Sequence, residues 1–189
     1  MAVTVVSGLP RSGTSLMMRM LEAGGVPPVS DGLRTADEDN PRGYYEDERV
    51  KKLANDDAWL DGASGRAVKV VSALLPHLPE RHRYKVVFMR RDLDEVLASQ
   101  AKMLERRGEP AGDDALLRRA FVKHLEATER RLATAPNMDV LYVSYRRLVT
   151  APDAQLARLG RFFEGALDAT AMASVIEPGL YRQRREERG

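Results

Sequence analysis

The chain has 189 residues, 31% of them charged, with a formal net charge of only +2 at pH 7. That length suits one domain with a sizeable core, 1–189, and the near balance of charge is not the profile of a dedicated nucleic-acid binder. The absence of cysteine excludes disulfides, thiolate catalysis and zinc–thiolate sites. The opening residues lack a signal peptide's charged region and long apolar core, and no run of about 18 apolar residues is present to span a membrane. The expectation is a soluble cytoplasmic protein with no membrane or nucleic-acid partner.

The first element is a buried strand over Val3–Val6. It enters a loop bounded by Gly8 and Gly13, and a helix is expected over Gly13–Ala23 from the apolar spacing of Leu16–Leu21. Strand, glycine-bounded loop and helix together cradle a phosphate, because loop amides and the positive end of the helix dipole converge on one anion. An ATP-binding loop, G-x-x-x-x-G-K-[ST], carries a lysine directly after its second glycine. Here Thr14 stands at that place, and the nearest cation is Arg11, inside the loop. The shift points to a ligand with one phosphate on the loop and a different transferable group beside it.

Residues Pro27–Gly43 carry prolines, glycines and acids without periodicity and read as a loop placed to cover an acceptor site. A helix is expected over Glu46–Ala54, with Trp59, the sole tryptophan, packing it, or else stacking on a ligand's base or lining an acceptor pocket. Strands follow at Ala67–Val71, bearing Lys69, and at Lys85–Met89. Arg90 and Arg91 sit at the carboxyl end of the latter, where doubly wound sheets bind ligands. Asp92 caps a helix over Leu93–Arg106, and Ser99 lies about two turns along it. Glu109–Asp114 is a turn before a helix over Ala115–Ala133, a strand at Val140–Val143 and a helix over Ala154–Phe163. The alternation predicts an α/β fold, a central parallel sheet with helices on both faces. Four strands are legible and a fifth is not. Met17, Met18 and Met20 cannot all face one side of their helix; some fill the core, and others suit an adaptable apolar pocket.

The segment LPRSGTS, Leu9–Ser15, resembles the 5′-phosphosulfate loop of sulfotransferases that use 3′-phosphoadenosine-5′-phosphosulfate (PAPS). YKVVFMRRDLDEVLASQ, Tyr84–Gln100, resembles the family's 3′-phosphate site in the order and spacing of Arg91 and Ser99 and in the flanking Glu95. NPRGYYE, Asn40–Glu46, and YVSYRRLVTAP, Tyr142–Pro152, resemble segments of bacterial members. The resemblance implies a P-loop-like three-layer fold. It implies sulfuryl transfer from PAPS, leaving adenosine 3′,5′-bisphosphate (PAP), without a required metal. The acceptor would be a hydroxyl, less readily an amine, of a small molecule or carbohydrate. Pro10, Arg11, Ser12, Gly13, Thr14 and Ser15 would hold the 5′-phosphate, with Arg11 also at the bridging oxygen. Arg91 and Ser99 would hold the 3′-phosphate, and Lys69 could reach the sulfonate. Arg182, in the basic run Tyr181–Arg188, would close the 3′-phosphate site unless that run is a solvated charged end.

Many members of the family use a histidine base two residues after a lysine; here that place holds Val71, after Lys69. Glu46 is the leading alternative base and His77 the next, ahead of His82 and the acidic residues Asp37, Glu38 and Asp39. Plainer roles stand beside these. Glu46 would favour a helix dipole, Arg91 would pair with Asp92 or Asp94, His77 and His82 would be surface or capping groups, and His124 would be exposed. Two other functions compete. A P-loop kinase would need the missing loop lysine. A non-catalytic 3′,5′-nucleotide binder fits Val71 but leaves Arg11 without a purpose.

Overall fold

Val3 and Val5 point to one side of the first strand and Val6 to the other, and all are buried. A strand apolar on both sides belongs inside a sheet covered on both faces. The structure is a computed structural model and describes residues 1–33, 45–110, 112–177 and 179. It contains β1 (Val3–Gly8), α1 (Thr14–Ala23), β2 (Pro28–Val29), β3 (Ala67–Lys69), β4 (Tyr84–Arg90), α2 (Leu93–Arg106), α3 (Asp114–Thr134), β5 (Met138–Ser144), α4 (Tyr145–Thr150), α5 (Pro152–Phe162) and α6 (Ala169–Ser174). The strands form one sheet in the order β2-β3-β1-β4-β5, with every pair parallel.

Parallel pairing puts all carboxyl ends on one edge. The register sets Val6 beside Lys69, Gly8 beside Met89 and Arg90 beside Ser144. Because β1 lies between β3 and β4, the chain winds to one side of β1 and then crosses to the other. That reversal opens a crevice at the carboxyl edge. On one face Val6, Val87 and Val143 pack against α1, α4, α5 and α6. On the other, Val5, Val86 and Phe88 pack against Leu53, Leu60, Leu75 and Leu132.

The α/β architecture is as expected, and four strands lie where the sequence places them. The fifth, β2, falls inside the segment read as loop. It has two residues, begins with proline, and exists through its pairing of Pro28 with Ala67 and Val29 with Val68. The helix expected over Glu46–Ala54 is a 3₁₀ turn, Glu48–Lys52, capped by Asp47. The polar run Asn55–Asp57 that follows favours turns over helix continuation. Strand β3 stops at Lys69 rather than Val71, because the chain turns into a further 3₁₀ segment, Ser72–His77. The helix after β4 has the expected bounds, and Asp92 accepts from the amides of Asp94 and Glu95. Met17, Met18 and Met20 are all buried, since α1 is covered by the sheet and by α6. Trp59 packs against the second core, with the Arg49 guanidinium 4.9 Å from its ring. No helix among the described residues is long and apolar enough to cross a membrane.

Leu148 is fully buried in α4, the helix that begins with Tyr145. Leu148→Ala should cost about 2–5 kcal/mol of unfolding free energy, read as a lower urea midpoint at unchanged slope. A loss below about 1 kcal/mol would show that α4 contributes little to the core.

Candidate functional site

The loop between β1 and α1 turns through three residues of positive φ: Gly8 at 149°, Arg11 at 67° and Gly13 at 95°. A Cβ on Gly8 would stand 2.5 Å from Ser12 Oγ and 2.7 Å from the Met89 carbonyl oxygen. A Cβ on Gly13 would meet the Tyr145 ring at 2.3 Å. Both glycines are therefore demanded by space as well as by φ. Arg11 has no such excuse, and a left-handed non-glycine residue costs on the order of 1 kcal/mol that its surroundings must offset.

The loop delivers the chain into α1 with Gly13 as N-cap, no side-chain cap and no acidic residue in the first turn. The first amides of the helix and its positive dipole end are thus left to a ligand. The buried Ser12 hydroxyl has no hydrogen-bond partner among the described residues. A donor-rich loop, an uncapped helix end and an orphaned hydroxyl fit a phosphate.

Two hydrogen bonds hold the loop from the β4 side, and a third fixes the arginine that makes one of them. Arg11 Nε donates to Ser99 Oγ at 3.0 Å. Arg91 Nη1 donates to the Arg11 carbonyl at 3.0 Å, and Arg91 Nε donates to Glu95 Oε2 at 3.0 Å. The Arg91 guanidinium also lies 4.7 Å from the Tyr145 ring centre. The Arg91 and Glu95 side chains are only 8% and 3% exposed. The arginine's partner is thus Glu95, one helical turn on, rather than Asp92, which caps the helix, or Asp94, which pairs with Arg118. Arg90 is exposed and structural, stacked 4.0 Å over Tyr142 and bonded to Glu129 at 2.7 Å. A cavity of about 280 Å³ abuts the loop here, lined by Leu9, Ser12, Arg91 and Val96 among others.

On the β3 side, Lys69 Nζ lies 3.2 Å from both Ser15 Oγ and Glu46 Oε1. Its side chain is 8% exposed, whereas that of Glu46 is 30% exposed. Lysine, loop hydroxyl and carboxylate therefore meet in one group, with the carboxylate reaching solvent. Glu46 precedes the 3₁₀ turn, outside any helical first turn. Its neighbour Tyr45 donates to Glu22 Oε2 at 2.5 Å. Burial, then the Glu22 bond and charge, push the Tyr45 hydroxyl up to about 12, so it remains a donor at neutral pH. Asp47 is held below the usual carboxylate range, chiefly by hydrogen bonding from the Arg49 side chain.

The edge thus carries a row. Glu46 and Lys69 lie beyond β3, Arg11 and Ser15 beyond β1, and Arg91 and Ser99 beyond β4. Two strand spacings, about 10 Å, separate its ends. Pro10 and Thr14 belong to the same loop and first helical turn. His77 is exposed at the end of its 3₁₀ turn, and no hydrogen bond among the described residues joins it to the row. His82 precedes β4, near the opposite edge, 3.0 Å from Asp61. His124 is half-buried rather than exposed, with Nε2 2.8 Å from Ser72 Oγ. Asp37, Glu38, Asp39, Tyr44 and Arg182 lie outside the described residues. The Glu46–Lys69 contact had no sequence signal beyond the nomination of each residue alone.

A family model described as "Sulfotransferase family" matches residues 67–169, more than half of the chain. No curated protein matches it in sequence. Mouse sulfotransferase SULT7A1 complexed with PAP superposes with a TM-score of 0.55 at 16% identity, covering 93% of this chain and 62% of the mouse chain. The sulfotransferase domain from the curacin biosynthetic pathway superposes at 0.54 and 13% identity, covering 98% and 92%. An unliganded sugar kinase from Janibacter sp. HTCC2649 reaches 0.47 at 12% identity, covering 95% and 97%, too loose a match to bear on function. At these identities the solved structures speak for the fold, the P-loop-like three-layer arrangement, and not for a substrate.

Two outcomes follow from the ion pairs. Arg91→Ala would leave Glu95 buried without its guanidinium and should cost about 3–5 kcal/mol, with Arg91→Ala/Glu95→Ala costing less than the sum of the single variants in urea unfolding. Asp47, its folded value depressed, stabilises the fold above the ordinary carboxylate value of about 3.9 and loses that contribution as pH falls through the lower folded value. Asp47→Asn should therefore destabilise at pH 7, with the difference from wild type shrinking on acidification. A pH-independent difference would contradict the assignment.

Proposed function

The chain belongs to the sulfotransferase family, and from that premise we propose that it moves a sulfuryl group from PAPS to a hydroxyl, less readily an amine, of a small-molecule or carbohydrate acceptor. The observation that carries this reading is the Lys69 contact, which joins the first-turn hydroxyl of Ser15 in α1 to the carboxylate of Glu46. An anion loop alone would suit any nucleotide binder. An anion loop sharing a lysine with a solvent-reaching carboxylate suits group transfer.

When bound, PAPS supplies a sulfuryl group activated by a phosphate leaving group. The α1 amides, with Ser12, Gly13, Thr14 and Ser15, would hold the 5′-phosphate, and Pro10 shapes the turn before them. Arg11 would stabilise charge at the bridging oxygen. Arg91 and Ser99 would hold the 3′-phosphate, with Arg182 as a further cation. Lys69 would neutralise the sulfonate from the β3 side. Glu46, beyond it, would take the acceptor proton as general base. This order along the edge matches a donor lying from β4 to β3 with its acceptor past β3.

One observation favours a second reading. Val71, at the place where many members carry a histidine, is exposed at the crevice edge, which suits a nucleotide binder without transfer activity. Turnover separates the two. With PAPS and a panel of phenols, alcohols and sugars, Glu46→Gln should lower turnover by about 10²–10⁴-fold at unchanged PAP affinity. Arg11→Ala should lower turnover by about 10²-fold or more, well beyond its effect on PAPS affinity. Near-normal turnover of Glu46→Gln would move the base to His77 or to the acidic residues Asp37, Glu38 and Asp39. Equal losses of rate and affinity in Arg11→Ala would confine Arg11 to binding.

A further inference from the structure

Glu46 lies on neither a helix nor a strand, yet its backbone is gripped from two sides. Its carbonyl accepts from Ser30 Oγ at 3.0 Å and from the Asp31 amide at 3.3 Å. The Asp31 carboxylate accepts from the Glu48 amide at 2.7 Å and from the Leu33 amide at 3.0 Å. These ties come from the chain directly after β2. From the other side, Tyr45 reaches Glu22 in the last turn of α1 at 2.5 Å, and its ring packs on the core of that face. Tyr45 has φ 52°, a left-handed conformation that a bulky residue keeps only when its surroundings hold it. The turn sends the ring toward α1 while the next side chain, Glu46, reaches Lys69 at 3.2 Å.

We propose that Asp31 and Tyr45 are positioning residues that set the Glu46 carboxylate against Lys69. The proposal rests on the reading of Glu46 as general base. Proton transfer requires the base within about 2.6–3.2 Å of the proton's heavy atom, and a carboxylate on an unbraced loop would spread over several ångströms. Asp31 holds the Leu33 amide with one oxygen and the Glu48 amide, two residues past Glu46, with the other. Tyr45, tied to Glu22 of α1, fixes the backbone directly before Glu46. Neither touches the row of phosphate-binding residues, so their loss should reach the rate without reaching nucleotide affinity.

The test compares Asp31→Ala, Asp31→Asn, Tyr45→Phe and Glu46→Gln with wild type. PAPS breakdown with water as acceptor reads the rate without a known acceptor, and calorimetry with PAP reads affinity. Asp31→Ala and Tyr45→Phe should each lower kcat by at least about tenfold, with KM for PAPS and PAP affinity within about twofold. Asp31→Asn, which keeps an oxygen for the Glu48 amide, should recover part of the rate. Tyr45→Phe removes only a hydroxyl and serves if Asp31→Ala does not fold. Unchanged kcat in both variants overturns the proposal, as does a matching loss of PAP affinity. If Glu46→Gln loses the rate while Asp31→Ala and Tyr45→Phe keep it, positioning alone fails. If Glu46→Gln keeps the rate, the base assignment fails and positioning falls with it. A wild type that breaks down no PAPS with water or with the panel of phenols, alcohols and sugars overturns the functional reading itself.

Discussion

Arg91 donates to the Arg11 carbonyl and to Glu95, with its guanidinium over the Tyr145 ring. One nearly buried cation thereby ties the loop after β1 to the start of α2 and the start of α4. The loop needs such a tie. It turns through three positive φ values, one of them at an arginine, and presents an uncapped helix end. The amides at that helix end lack intrahelical partners and carry like partial charges, so contacts from outside the loop help hold the conformation. Burying the guanidinium is itself costly, and Glu95 with the Arg11 carbonyl offsets that cost. The tyrosine ring completes the enclosure and leaves room for no side chain at Gly13.

Parallel pairing turns this local arrangement into a site. Every strand delivers its carboxyl end to the same edge, and the β3-β1-β4 order sets lysine, phosphate loop and arginine side by side at strand spacing. The proposed acceptor end depends on a different kind of support. Glu46 is placed by hydrogen bonds from Ser30 and Asp31 after β2 and, through its neighbour Tyr45, from Glu22 of α1, outside the regular elements, and in the proposed reading its reach toward solvent separates transfer from binding.

The sequence made legible what is locally encoded. Glycine spacing, an apolar strand and a helical stretch identify the loop after β1 within fifteen residues. Asp92 and the rhythm of Leu93–Arg106 mark α2 to the residue, because an N-cap and an amphipathic run are both short-range signals. Edge strand β2 was hidden because two residues carry no period, and its existence depends on Ala67 and Val68 far along the chain. The 3₁₀ turn at Glu48–Lys52 looked helical because its apolar spacing is helical over one turn, while the Asp47 cap and the polar run behind it shorten it. Arg91 and Glu95 stand at i and i+4, a pairing the spacing allowed but proximity in sequence to Asp92 and Asp94 obscured. Lys69 and Glu46 were each nominated, but their meeting is tertiary, made by two elements with no local grammar in common. His124 was missed for the same reason: its partner, Ser72, lies on another element.

The central claim is that the carboxyl edge holds a nucleotide carrying phosphates at both the 3′ and 5′ positions. Calorimetric titration with PAP, beside ATP with magnesium, tests it most directly. Tight PAP binding at one site per chain, with little heat from ATP, is the predicted result. A preference for ATP, or no binding of either nucleotide, would contradict it and leave an anion loop without the second phosphate site.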